Sequence, residues 1–249
     1  MRHFFFDTAA ATAFIAILAT GCYPEMSAAA PKQAGASKQA ENEESQLASC
    51  PRGRVDDGED GNNQVMPIAG RGGYWYTYSD KAGSTIDPPA GEAGGTFSMS
   101  EGGAKGSALA ARMQGKVGRA NIVFAGMGFS FVDPKRPYDA SKFDGIAFFA
   151  KAGEGSTSSV RMKVPDVDTD KDGKVCTECY NDFGADIALT SAWKRYVIPF
   201  ASMKQLSGWG APHPAAIDAT KLYGVQWQVA SPGAAYDIWV DEVELVGCH

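Results

Sequence analysis

Between Asp166 and Cys179 the chain reads DVDTDKDGKVCTEC: aspartates at alternate positions, a glycine, then a C-x-x-C. The carboxylates suit a hard cation. Calcium takes about six to eight oxygen ligands. Asp168, Asp170 and Asp172 ahead of Gly173 match the early ligand positions of an EF-type loop. The match then fails, because Cys179 stands where a bidentate Glu would close the cage and Glu178 comes one place early. Without a cation the stretch is a solvated acidic loop. The cysteines allow three chemistries. Zinc would need further ligands, and beyond His3 and Cys22 near the N-terminus only Cys50, Cys248, His213 and His249 remain, none paired at ligand spacing. A redox pair of the thioredoxin kind needs a helix N-terminus in a βαβ setting, and no such pattern is visible. A covalent staple is the reading that remains.

A second group of residues suits hydroxyl-rich ligands. The C–H face of a pyranose packs on an aromatic ring, and its hydroxyls pair with planar polar groups. GGYWYTYSD places Tyr74, Tyr76 and Tyr78 on one face of a strand and Trp75 on the other. One of those faces must be core. CYNDF adds Tyr180, Asn181 and Asp182 beside the C-x-x-C. SGWGAPHP adds Trp209 and His213 in a Gly/Pro-rich loop, where Trp209 is expected to be exposed. VQWQV sets Gln226 and Gln228 opposite Trp227. Two glutamines are costly to bury unpaired, so they suit an open, concave, polar sheet surface. Any single aromatic can equally be core, and Trp193 and Trp239 are expected there.

Signals for catalysis are weak. There is no G-x-S-x-G elbow and no H-E-x-x-H. His213 sits between prolines. A glycosidase needs two carboxylates about 5 to 9.5 Å apart across a cleft. The DEVE stretch at Asp241–Glu244 does not have the Glu-x-Asp-x-x-Glu spacing of jelly-roll glucanases. The chain is therefore expected not to be an enzyme.

The elements that must position these residues read as β. Short aromatic and β-branched runs are cut by Gly, Pro, Asp and Asn. Strands are expected near 74–79, 96–99, 107–113, 122–131, 145–150, 160–164, 194–199, 224–229 and 238–246. In WVDEVELVG, Trp239, Asp241, Val243 and Leu245 are expected to face one way. No helical crossover is visible, so the sheets should be antiparallel and packed as a sandwich. The net charge of -6 argues against nucleic acid.

The N-terminus supplies an address. Residues 8–20 form an apolar run too short to span a bilayer. It ends in LATGC, Leu18–Cys22, which resembles the lipobox of bacterial lipoproteins. That resemblance implies a signal peptide over 1–21, lipidation of Cys22, and anchorage at the outer membrane or cell surface, where disulfides persist. Residues 22–49 are poor in large apolar side chains and read as a disordered tether. Residues 50–249 are long enough for one domain.

Four segments together resemble a family. YDASKFDGIAFFAKAG, LTSAWKRYVIPFASMKQLSGWG, KLYGVQWQV and YDIWVDEVELVGC follow VDDGEDGNN in an order similar to the galactose-binding-like jelly roll of carbohydrate-binding modules, the family 11 type above all. The resemblance implies an all-β antiparallel jelly roll. It also implies a structural calcium between the first and last strands, with Glu59, Asp60 and Asp241 as ligands. It implies that those strands meet, so that Cys50 pairs with Cys248, while Cys176 and Cys179 are expected to close their own tight loop. The expected function is non-catalytic glycan binding by a monomer. Tyr76, Tyr78, Tyr180, Trp209, Gln226 and Gln228 would form the site. The same jelly roll also serves protein assembly, so an alternative partner is another protein.

Overall fold

The computed structural model describes residues 47–91 and 95–249. The expected signal peptide, Cys22 and nearly all of the expected tether lie outside them. The strands are β1 (Ser49–Asp56), β2 (Trp75–Ser79), β3 (Thr85–Asp87), β4 (Ser100–Glu101), β5 (Leu109–Lys116), β6 (Ala125–Ser130), β7 (Gly145–Ala152), β8 (Ser159–Val164), β9 (Phe183–Ala188), β10 (Lys194–Pro199), β11 (Gly224–Val229) and β12 (Ala235–Val246). They form two antiparallel sheets, as the jelly roll requires. One runs β10-β7-β12-β5-β3, with β1 also on β12 and β4 on β5; the other runs β2-β6-β11-β8-β9.

The long strand β12 is the spine of the first sheet. Its first half pairs with β5, its second half with β1, and β7 lies along its other edge. The alternation expected along β12 breaks in the middle. Its register against β7 shifts between Asp241 and Glu244, and Glu242 has φ 51. Such a bulge moves one residue out of phase. Ile238 and Val240 before it, and Val243 and Leu245 after it, therefore all reach the core. Trp239 points the other way, so the expectation that it shares a face with Val243 and Leu245 is corrected. Trp239 and Trp193 are half-buried outside the core, contrary to expectation.

The core tryptophans are Trp75 and Trp227. Their rings stack at 5.7 Å and 13°. Phe129 meets the edge of Trp75 at 4.9 Å, and Phe148 crosses from the other sheet onto Trp227 at 5.2 Å. Both expected disulfides are present, with Cα separations of 5.8 Å for Cys50–Cys248 and 5.1 Å for Cys176–Cys179. The first ties the two ends of the domain across 198 positions. Closing so long a loop contributes about 5 kcal/mol by the chain-entropy model.

Three strands went unpredicted. SCPRGRVD (β1), TID (β3) and FGADIA (β9) carry Pro, Gly or Asp and have weak intrinsic preference. The strand expected at 96–99 is instead the short β4 just after it.

Phe129→Ala is expected to lower unfolding free energy by about 3–5 kcal/mol in urea titration. Ile122→Ala, at a side chain 79% exposed, should change it by less than about 0.5 kcal/mol. Similar costs at both positions would contradict this core.

Candidate functional site

The outward face of the five-stranded sheet gathers most of the residues singled out for sugar binding. The pairing registers set two rows across the strands. One row is Tyr76, Gly128, Gln226, Lys163 and Gly184. The next is Tyr78, Gly126, Gln228, Arg161 and Asp186. Trp75, Met127, Trp227 and Met162 alternate with them and fill the core. The same alternation that buries the tryptophans thus displays tyrosines and glutamines.

Glycine floors this face. A Cβ on Gly126 would overlap the ring of Tyr78, so that ring lies down across β6. A Cβ on Gly128 would collide with Gln226. Across the gap Gln226 Nε2 donates to Tyr76 Oη at 2.9 Å, and Tyr78 Oη donates to Gln228 Oε1 at 3.3 Å. Tyr76 and Tyr78 lie 6.2 Å apart, and Phe124 extends the strip 6.1 Å beyond Tyr78. Burial pushes the Tyr76 phenol up to about 12 and Tyr78 well above its usual range. Both remain neutral hydroxyls through physiological pH.

The cations on this side are neutralised locally. Lys163 pairs with buried Asp182 at 2.8 Å, Arg161 with Asp186 at 3.1 Å, and Lys135 with Asp170 at 2.6 Å and Asp172 at 3.0 Å. Asp182 Oδ1 is buried with no protein hydrogen-bond partner among the described residues. The face is therefore polar and aromatic, with its positive charges matched.

Tyr180 and Trp209 lie on two loops toward the β9 side of the face. They are 52% and 40% exposed, as expected for Trp209. Lys163 Nζ reaches the Tyr180 carbonyl at 3.3 Å. Asn181, read from sequence as a sugar contact, is buried and structural. Its Nδ2 donates to the carbonyls of Leu206 and Trp209 at 2.8 and 2.6 Å, and its Oδ1 accepts from Leu206 N at 2.9 Å.

The acids singled out for calcium do not converge. Among the described residues no three His, Cys, Asp or Glu side chains are arranged to hold a metal ion. Asp170 and Asp172 both hold the Lys135 ammonium. Asp168 donates its backbone N–H to Asp166, whose buried carboxylate organises the loop with bonds from Thr169 and Asp218. Glu59 accepts from Ser107 Oγ and the Ala108 and Leu109 amides, and Asp60 holds Asn62. Asp241 instead shares a cavity of about 10 Å³ with Asp56. Burial pushes each of these two carboxyls up to about 6.

A depression of about 440 Å³ lies on the other sheet, lined by Asp87, Gln114, Glu154, Tyr236 and Asp237. Tyr236 there is buried and gives its hydroxyl to the Thr85 carbonyl. Tyr236 is the one aromatic residue among those that line it. Tyr76, Tyr78, Gln226 and Gln228, singled out from the sequence, lie on the five-stranded sheet instead.

Sequence reading missed Arg161, Lys163, Gly126 and Gly128 on that face. The signals were present in VRMKV, where charged and apolar residues alternate, and in AGMGFS, where Gly recurs at the outward positions.

No protein-family model and no curated protein matches the chain. Solved structures do. A family 11 carbohydrate-binding module of the cellulosomal cellulase Lic26A-Cel5E of Clostridium thermocellum is 17% identical, with TM-score 0.54, over 82% of this chain and 97% of that one. The Clostridium thermocellum family 11 module in complex with a β-1,3-1,4-mixed-linked tetrasaccharide is 17% identical, with TM-score 0.51, over 76% and 96%. A solution structure of CtCBM11 matches at 19% identity and TM-score 0.54 over 82% and 98%. The chain has the β-sandwich jelly-roll fold of carbohydrate-binding modules.

Gly126→Ala is expected to lift Tyr78 off the sheet and cost about 1–3 kcal/mol. Near-ultraviolet circular dichroism should show a changed tyrosine signal. An unchanged spectrum and stability would mean that Tyr78 does not rest on this glycine.

Proposed function

We propose that the chain is a non-catalytic carbohydrate-binding protein that lays a glycan across the outward face of its five-stranded sheet. The observation that carries this is the Tyr76–Tyr78–Gln226–Gln228 surface over the Gly126 and Gly128 floor. Ring faces can take the C–H faces of sugars, while the amides and phenols exchange hydrogen bonds with hydroxyls. Tyr180 and Trp209 extend the surface at the β9 side. The fold shared with family 11 modules supports the reading, as does the oligosaccharide held by one of them. The carboxylates on this face support a non-catalytic role, because Asp182 and Asp186 are each committed to an ion pair. An open face excludes little water, so affinity for a short oligosaccharide is modest.

Isothermal titration of the domain with soluble glucans, mannans and galactans is the direct test. Binding to one class is expected, with Tyr78→Ala or Gln226→Ala weakening it at least about tenfold, a loss of about 1.4 kcal/mol. Trp209→Ala should weaken it less. Folded protein that binds none of them would shift the reading to a protein partner. The exposed Val175, Tyr180, Leu206 and Trp209 would then be the surface to probe.

The LATGC motif supports export and a lipid at Cys22, at a bacterial outer membrane or cell surface. Metabolic labelling with a fatty acid should mark the chain and fail on Cys22→Ser. Labelling that persists would remove the anchor from the reading.

The resemblance to family 11 modules adds calcium as a structural ion between the first and last strands, with Glu59, Asp60 and Asp241 as the residues that would hold it. Millimolar calcium is expected to raise Tm, and Asp241→Asn to abolish the rise. A Tm indifferent to calcium and chelator would exclude the ion.

A further inference from the structure

Tyr180 stands out in its backbone as well as in its exposure. Its φ is 77°, in the left-handed region that bulky side chains rarely adopt. Among the described non-glycine residues with positive φ it is the one aromatic. Such a residue stays there only when its surroundings hold it. Two contacts grip its backbone directly. Its N–H donates to the Thr169 carbonyl at 2.8 Å, and its carbonyl accepts from Lys163 Nζ at 3.3 Å. The covalent hold comes from the residue before it, because Cys179 is bridged back to Cys176.

The same bridge sets the neighbouring loop. The two residues it encloses, Thr177 and Glu178, both donate their backbone N–H groups to the Ala211 carbonyl, at 3.0 and 3.3 Å. The Ala211 N–H returns a bond to the Glu178 carbonyl at 3.0 Å, and the Glu178 carboxylate accepts from Gly210 N at 2.8 Å. Trp209 comes just before, its carbonyl held by Asn181. One short ring thus anchors both exposed aromatics at the β9 side of the face. It is also open to reagents. Cys176 and Cys179 are half-buried, and Lys174, Val175, Thr177, Glu178 and Tyr180 around them are exposed. A bridge closing so short a loop removes little entropy from the unfolded chain. Its hold therefore acts on local geometry more than on the fold.

We propose that Cys176–Cys179 is a redox-sensitive brace that positions Tyr180 and the Trp209 loop, and through them sets ligand affinity. The effect on affinity rests on the glycan reading above; the brace itself does not. Oxidised, the bridge keeps Tyr180 left-handed with its ring on the surface. A dithiol reductant opens it. One thiolate of the dithiol attacks a bridge sulfur, the bond between Cys176 and Cys179 breaks, and a mixed disulfide forms. The second thiolate then closes the reductant into its own disulfide. Two electrons and two protons pass from the dithiol to Cys176 and Cys179, which become thiols. Exposed bridges are the labile and regulatory kind. Tyr180, released, relaxes to negative φ, and the two aromatics lose their fixed spacing.

The test uses the full chain, isotope-labelled, before and after dithiothreitol, with the opened cysteines mapped by alkylation and mass. Reduction should open Cys176–Cys179 in the folded protein. The Tyr180 HN–Hα coupling should move, and the Gly210 and Ala211 amide shifts with it, with no sugar present. Soluble β-1,3-1,4-mixed-linked glucan is the binding probe. Reduction should weaken its binding by about fivefold, the loss of one aromatic contact. Cys176→Ser with Cys179→Ser should reproduce that loss without reductant. Tyr180→Gly, at home at positive φ, should bind weakly in both redox states, with reduction adding little. A bridge that stays closed to dithiothreitol would overturn the proposal. So would an open bridge with the Tyr180 coupling unmoved, or glucan bound equally well by both forms. Glucan bound by neither form, with the coupling still moving on reduction, would count against the glycan reading and for the brace.

Discussion

The stack of Trp75, Trp227, Phe129 and Phe148 between the sheets is the constraint on which the rest depends. It joins β2, β11 and β6 of one sheet to β7 of the other. Side chains alternate along a strand, so a one-residue slip would turn every core ring to solvent. Holding Trp75 and Trp227 inward therefore fixes Tyr76, Tyr78, Gln226 and Gln228 outward. The candidate site is the reverse side of the core. The Trp227 N–H is buried within this stack with no protein acceptor among the described residues.

The two outer surfaces then diverge in electrostatics. On the five-stranded sheet, Lys163, Arg161 and Lys135 each meet a carboxylate, and what remains for a ligand is ring faces, amides and phenols. On the seven-stranded sheet, Lys105 and Lys151 rest on rings with no such partner among the described residues. A ring face attracts a cation without cancelling its charge. One surface presents hydroxyl-rich, uncharged chemistry, and the other mixes cations with the carboxylates of Asp87, Glu154, Asp237 and Glu244. The disulfides act at the margins. Cys50–Cys248 closes the ends of the sandwich, and Cys176–Cys179 staples the loop that leads into Tyr180 and Asn181.

Much of this was legible in the sequence because it rests on period-two alternation. YWYTY, VQWQV and VRMKV each announce which residues pair off on which face. The two-sheet architecture and Cys50–Cys248 followed from the same strand order and from its resemblance to family 11 modules, and Cys176–Cys179 from the C-x-x-C spacing. Other features were hidden for physical reasons. Strand β9, FGADIA, is held by its ladder with β8 rather than by intrinsic preference. The bulge at Asp241–Glu244 leaves no mark in WVDEVELVG, yet it decides that Trp239 faces outward. Trp193 and Trp239 looked like core because large aromatics usually are. Their rings are instead covered by Arg112 and Lys151, and cation stems can shield apolar surface as well as a second sheet can. The acidic loop looked like a calcium cage because its residue types match one, but Lys135, distant in sequence, occupies Asp170 and Asp172. A contact of that kind is invisible without the fold.

The central claim is that ligand binds the five-stranded face, and amide chemical-shift mapping tests it most directly. The isotope-labelled domain would be titrated with whichever soluble polysaccharide it binds. The account predicts that the largest shifts fall on Gly126, Gly128, Gln226, Gln228 and the Tyr180 and Trp209 loops, with Lys151 and Trp239 unmoved. Shifts centred on Trp239, Trp193 or the depression at Asp87 and Glu154 would contradict it.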